Sequence, residues 1–212
     1  QLRDWDDPLN RSKAGYFGSE CDGGYAQYTK VFHRQVHPVK SALSDAELAT
    51  FACSYVTAEN MLNRGAVTAG DTVLVTGASG GVGSALIQLA NRRGAQCVGL
   101  CGADKADDVK AVGPLAVIDR NCSDLGSALR DAIGKESVDV VADVVGGSLW
   151  PQLISALVRG GRYTCAGAIA GPMVEFDLRT FYLRDPTFTG ATVPLPGVFE
   201  DLVGYIERDE IR

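Results

Sequence analysis

The residues most able to do chemistry are Thr76-Gly-Ala-Ser-Gly-Gly-Val-Gly83, which place four glycines within eight positions. They follow the apolar run Thr72-Val-Leu-Val75 and precede Val82, Ala85, Leu86 and Leu89 at i, i+3, i+4 and i+7, the period of a helix face. A strand, a tight turn and a helix are therefore expected in that order. Glycines let such a turn reverse sharply, approach a ligand closely and pack the new helix on the strand. The helix start presents unpaired N–H groups and the positive end of its dipole, so an anionic pyrophosphate is the natural occupant.

Three motifs overlap here. Gly77-Ala-Ser79-Gly-Gly81 fits the nucleophile elbow of serine hydrolases, whose order requires an Asp and then a His downstream. Both histidines, His33 and His37, lie upstream. Thr76-Gly77 with Gly81 and Gly83 is similar to the turn of short-chain dehydrogenases, but no tyrosine has the lysine four places later that their proton transfer needs. The third motif is Ala78-x-Gly80-x-x-Gly83, a dinucleotide fingerprint with alanine for its first glycine. On that reading Ala78, Ser79, Gly80, Gly81 and Val82 line the pyrophosphate.

Cofactor choice is read about twenty residues past the loop, at the end of the second strand, where a carboxylate would hydrogen-bond a ribose 2′-OH. Here Cys97-Val-Gly-Leu-Cys101 ends in cysteine and continues Gly102-Ala-Asp104-Lys105. With no carboxylate at 101, a 2′-phosphate is not repelled, and Lys105, with Arg120 after the third strand, can pair with it. NADP(H) is favoured over NAD(H). The competing reading gives Asp104 the ribose role, and Asp104 could equally cap its helix.

Other candidates weigh less. Asp139 and Asp143 stand i, i+4 in an apolar strand, more than about ten Å apart along it, too far for paired acid–base work; Asp143 is read as a polar strand-end anchor near the cofactor. The histidines have no glutamate at metalloprotease spacing and are read as surface residues. The six cysteines form neither a C-x-x-C pair nor a zinc-ribbon spacing and are read mostly as small buried hydrophobes.

The 212 residues, 46 % hydrophobic, can bury one substantial core across one or two domains. A formal charge of −6 without a polybasic run argues against a nucleic-acid surface. No apolar stretch is long enough for a bilayer and no signal-peptide pattern is present, so the chain is read as a cytoplasmic protein that meets neither membrane nor nucleic acid.

From Gly70 onward strand and helix alternate as in a doubly wound parallel sheet. Strands are expected at 72–76, 97–101, 115–119, 138–144, 161–166 and 187–192, with helices near 81–93, 104–112, 123–133, 148–158 and 197–207. Ahead of them, residues 1–15 read as an extended lead-in, and Tyr25-Ala-Gln-Tyr-Thr-Lys-Val-Phe32 reads as a strand of a sheet after the Asp22-Gly-Gly24 turn. Ser44-Asp-Ala-Glu47 has capping-box spacing before one helix, and a second is expected from Thr57 to Arg64.

Five blocks in order resemble the medium-chain dehydrogenase/reductase superfamily, the zinc-type alcohol dehydrogenases and quinone oxidoreductases. They are Asp22-Gly-Gly-Tyr-Ala-Gln-Tyr28, Cys53-Ser-Tyr-Val-Thr-Ala58, the segment Gly70 to Gly83, Val138-Asp-Val-Val-Ala-Asp-Val-Val-Gly-Gly147, and Gly160-Gly-Arg-Tyr163 with Gly167-Ala-Ile169. The resemblance implies an α/β fold: a six-stranded doubly wound Rossmann domain at 56–195, a remnant of a GroES-like β-rich catalytic domain at 1–55, and a helix at 196–212 leading back to it. It also implies a fragment with the cofactor domain intact and parts of the catalytic domain missing.

By the same resemblance Val145, Gly146, Gly167 and Ala168 approach the nicotinamide, as does Thr57, whose alternative is a helix N-cap. Cys53 falls where zinc-containing members have a catalytic ligand, so zinc is possible in the full-length protein; the alternative is a buried thiol at a helix end. The implied activity is NADP(H)-dependent hydride transfer to a small-molecule substrate, an alcohol/aldehyde pair with zinc or a quinone, enone or enoyl group without it. The implied assembly is a homodimer paired through the sixth strand.

Overall fold

The computed structural model describes residues 15–212. The proposed lead-in at 1–15 therefore lies almost wholly outside the described residues. The first long element is α1 (Asp45–Arg64), followed by β1 (Thr72–Thr76), α2 (Gly81–Arg92), β2 (Gln96–Cys101), α3 (Ala106–Val112) and β3 (Ala116–Asp119). The second half continues with α4 (Leu125–Ile133), β4 (Val138–Asp143), α5 (Trp150–Ser155), β5 (Leu157–Cys165), α6 (Leu178–Arg184), β6 (Thr187–Gly190) and α7 (Val198–Glu207). All six strands are parallel, in the order β3-β2-β1-β4-β5-β6. The chain starts at the middle of the sheet and winds outward one way, then the other, so β1 and β4 flank the topological switch point.

The alternating pleat of β1 explains the layering. Val73 and Val75 point to one face, into a core with Met61 and Leu62 of α1, Leu86 and Leu89 of α2, and Leu202 and Ile206 of α7. Leu74 points to the other face, with Leu125 and Leu129 of α4 and Trp150 and Leu153 of α5. Both faces of the sheet are covered, which is why the strands read as continuous apolar runs.

Four expectations are corrected. Tyr25–Phe32 forms no strand; Tyr25, Tyr28 and Phe32 are exposed, and among the described residues no strand pairs with this segment. β-propensity cannot substitute for a pairing partner. The two helices expected at 44–52 and 57–64 are one, α1, because nothing between them breaks the helical ladder. The helix expected at 148–158 ends at Ser155, and β5 begins at Leu157 rather than 161, with a register shift against β4 between Val138 and Val140. Finally, α6 has no counterpart among the expected elements; it is a seven-residue helix that buries none of its residues.

The capping box at the start of α1 is formed as its spacing indicates: Glu47 N–H donates to Ser44 Oγ at 3.4 Å, and Ser44 N–H donates to Glu47 Oε2 at 2.8 Å. Ser44→Ala is expected to destabilise the chain by about 1 kcal/mol, read as a lower urea midpoint at unchanged m.

Candidate functional site

The glycine loop lies between β1 and α2, at the carboxyl end of the sheet. Gly77 is at φ +59°, a conformation that favours glycine. The first helical hydrogen bond of α2 runs from Ser84 N–H to the Gly80 carbonyl at 2.9 Å. The amides of Gly81, Val82 and Gly83 thus precede the ladder, and Gly80 supplies no side-chain cap. Ser79, Gly80 and Gly81 are exposed, Val82 is half-buried and Ala78 is buried under the turn.

Gly83 is the helix–strand contact of this turn. A Cβ there would lie 2.2 Å from the Gly77 carbonyl oxygen and 2.7 Å from Ala78 Cα, so the strand exit and the helix touch backbone to backbone. Gly81 is crowded differently: its Cβ would sit 2.6 Å from Ser54 Oγ of α1. Ser54 is a neighbour of the loop that sequence reasoning passed over, although it follows Cys53 within one of the five blocks.

Thr57, one turn on from Ser54, is half-buried inside α1 and is not an N-cap. Cys53 is exposed along the same helix, so it is not a buried thiol at a helix end. Of the other cysteines only Cys97 and Cys101 are buried, while Cys21, Cys122 and Cys165 are half-buried. Burial pushes the Cys97 thiol up to about 12 and also raises Cys101. Among the described residues no group of three His, Cys, Asp or Glu side chains could hold a metal ion. A catalytic zinc requires three protein ligands, so the described residues do not form a zinc site.

Past β2 the chain runs through buried Gly102 to exposed Asp104 and Lys105. Lys105 takes the N-cap position of α3 and makes no cap. Asp104 instead folds back over Gly102, with Oδ1 2.6 Å from where a Cβ would be, and Arg120 Nε is 4.0 Å from that same point. The Cys101 thiol feels all four neighbouring charges, Asp119 and Asp104 raising it, Arg120 and Lys105 lowering it. Lys105 and Arg120 thus both act on the Cys101 thiol at the end of β2, and no ion pair to either is found among the described residues.

The loops after β4 and β5 meet beside the glycine loop. A Cβ on Gly77 would be 3.2 Å from methyls of both Val144 and Val145. Gly167 approaches the Val144 carbonyl so closely that a Cβ would be 2.9 Å from it, and Gly146, at φ +62°, would meet the Gly171 carbonyl at 2.9 Å. Gly147 N–H donates to the Gly171 carbonyl at 3.0 Å and Ala170 N–H to that of Val145 at 2.9 Å. Val145, Gly146, Gly167 and Ala168 are thereby brought together, with Ala168 exposed at the rim.

Asp143, the last residue of β4, is fully buried. Its carboxylate accepts from the Thr76 hydroxyl at 2.6 Å, the Tyr163 hydroxyl at 2.6 Å, Val145 N–H at 2.8 Å and Gly146 N–H at 3.1 Å. Burial, then the hydrogen bond to Asp143, hold the Tyr163 phenol well above its ordinary range. Asp139 is at the other end of β4, where it accepts from Thr72 N–H at 2.8 Å, so the two aspartates serve opposite ends of the strand. His33 is exposed, and His37 is half-buried with its ring 4.9 Å from Phe199.

A classically ordered sheet, free amides at the α2 start and close backbone approaches at Gly83, Gly146 and Gly167 form a cradle that fits a dinucleotide. Residues 81–208 match the zinc-binding dehydrogenase family. The chain belongs to the medium-chain dehydrogenase/reductase superfamily. It is 33 % identical over 181 residues to an acryloyl-coenzyme A reductase of Metallosphaera sedula, covering 84 % of this chain and 52 % of the relative. It is 26 % identical over 180 residues to the quinone oxidoreductase of Homo sapiens, covering 84 % and 54 %. The crystal structure of a provisionally named alcohol dehydrogenase from Sinorhizobium meliloti 1021 superposes with a TM-score of 0.90 at 48 % identity, covering 93 % of this chain and 55 % of that one. The chain thus spans about half the length of the relatives it matches. Within this superfamily the fold is the Rossmann doubly wound sheet, and among the described residues no helix is long and apolar enough to cross a membrane.

Proposed function

We propose that this chain carries the cofactor-binding part of an NADP(H)-dependent oxidoreductase acting on an alcohol/aldehyde pair. The observation that carries the reading is the pair of cations Lys105 and Arg120, without ion-pair partners among the described residues, at the end of a β2 strand that closes on Cys101 instead of a carboxylate. When bound, the cofactor supplies hydride exchange at C4 of its nicotinamide.

The chain's own residues bind and orient. The amides of Gly81, Val82 and Gly83 hold the pyrophosphate, with Ala78, Ser79 and Gly80 shaping the turn. Lys105 and Arg120 hold the 2′-phosphate beside Gly102. Val145, Gly146, Gly167, Ala168 and Thr57 bound the nicotinamide side. The 48 % identity to the S. meliloti structure supports the alcohol/aldehyde pair. A second reading, reduction of an activated alkene or quinone without zinc, is supported by the M. sedula and human relatives. β6, an edge strand paired on one side by β5, is the surface through which two copies would join.

Calorimetric titration of the chain with NADPH and NADH tests the reading. NADPH is expected to bind more tightly, and Lys105→Ala is expected to weaken it about tenfold while leaving NADH within about twofold, the scale of one charge-assisted hydrogen bond. Tighter NADH binding, lost in Asp104→Asn, would contradict the 2′-phosphate assignment and give Asp104 the ribose role.

A further inference from the structure

We propose that Asp143, Thr76 and Tyr163 form a positioning cluster that sets the nicotinamide half of the cofactor site, separately from the adenosine half. This rests on the dinucleotide reading of the glycine loop. None of the three side chains is needed to hold a pyrophosphate or a 2′-phosphate; all three act on the backbone that follows β4.

Thr76 ends β1, Asp143 ends β4 and Tyr163 lies in β5, so the cluster ties three adjacent strands at the switch point of the sheet. Asp143 Oδ1 accepts from Thr76, Val145 N–H and Gly146 N–H, while Oδ2 accepts from the Tyr163 hydroxyl at 2.6 Å. The Thr76 hydroxyl, having donated to Asp143, accepts from Val144 N–H at 3.0 Å. Three successive amides, at 144, 145 and 146, are therefore fixed to one carboxylate directly or through one hydroxyl. An apolar core would stabilise the sheet without that investment in loop backbone.

What the cluster fixes is the loop that carries Val145 and the left-handed Gly146, which in turn packs on Ala168–Gly171. In a doubly wound sheet the two halves of a dinucleotide lie on either side of the switch point. Lys105 and Arg120 belong to the β2–β3 half, and the cluster belongs to the β4–β5 half. Loosening the cluster shifts the second half while the first keeps its geometry.

The test uses two probes on the full chain: NADPH, and adenosine 2′,5′-bisphosphate, which has the adenosine and 2′-phosphate but no nicotinamide. Thr76→Val keeps the shape of the side chain and removes the bridging hydroxyl. Tyr163→Phe keeps the ring among Trp150 and Phe188 and removes one donor, and it serves if Thr76→Val does not fold. Each is expected to raise the Kd for NADPH about tenfold and to leave that for the bisphosphate within about twofold. Asp143→Asn, whose amide oxygen can keep the three Oδ1 contacts, is expected to lose less than Thr76→Val. Hydrogen exchange at the amides of residues 144–146 is expected to accelerate in Thr76→Val.

Equal weakening of both probes would overturn the proposal and leave the cluster as a support of the whole fold; unchanged NADPH affinity would overturn it as well. If the native chain binds neither probe, the dinucleotide reading itself falls and takes the proposal with it.

Discussion

Gly83→Ala is expected to abolish dinucleotide binding, with a loss of at least about 100-fold in affinity. The added methyl would lie 2.2 Å from the Gly77 carbonyl oxygen and 2.7 Å from Ala78 Cα. These are backbone atoms of the strand exit, so no rotamer relieves the clash; α2 must move off β1 or the turn must open. Either movement displaces the amides of Gly81 and Val82 that face the ligand. Overpacking of this kind costs about 1–3 kcal/mol or more, so a lower melting temperature accompanies the binding loss. Gly81→Ala is the informative comparison. Its methyl would meet Ser54 Oγ at 2.6 Å, the end of a side chain that can rotate away, so a much smaller loss is expected. Calorimetry with NADPH on both variants, alongside thermal melts, checks the order; equal losses would show that the close approach at Gly83 is not what shapes the loop.

The second large effect is on stability. Asp143→Ala would strand four donors at once, three of them buried: the hydroxyls of Thr76 and Tyr163 and the amide of Gly146, with the half-buried amide of Val145. Each buried donor left without an acceptor costs about 1–3 kcal/mol, and the removed side chain leaves a cavity as well. The sum, about 4 kcal/mol or more, is a large part of the 5–15 kcal/mol by which domains are ordinarily stable. The variant is expected to unfold at a far lower urea concentration than the native chain, whereas Asp143→Asn retains most of the stability. A native-like midpoint for Asp143→Ala would mean that water enters and satisfies these groups, and that the cluster is less closed than its distances indicate.

Legibility in the sequence followed the range of the interaction. The strand at 72–76 was readable to the residue because its apolar run, the glycine turn and the helical period after it are consecutive in the chain. The capping box of α1 spans four residues and is equally plain. By contrast, whether Tyr25–Phe32 is a strand depends on a partner elsewhere, and α6 buries none of its residues and meets the aromatic cluster through Phe181 against Phe176 and Phe188. The same distinction governs the site. The loop glycines announced themselves by spacing, and the apolar surroundings of Asp143 marked it as a strand-end anchor. Its partners did not appear, because Thr76 is 67 residues away and Tyr163 is 20. Ser54 was hidden for the same reason: its contact with Gly81 exists only because α1 packs on α2. Asp104 looked like a helix cap from its position, but its side chain turns toward Gly102.

The most direct test of the account is the backbone amide spectrum of the isotopically labelled chain during titration with NADPH. The central claim is that a dinucleotide lies across the carboxyl ends of the strands with its pyrophosphate on the start of α2. The amides of Gly81, Val82 and Gly83 are then expected to show the largest shifts, with Val145 and Gly146 moving in the same titration. Saturable binding that leaves Gly81–Gly83 unmoved, with the shifts gathered elsewhere, would contradict it.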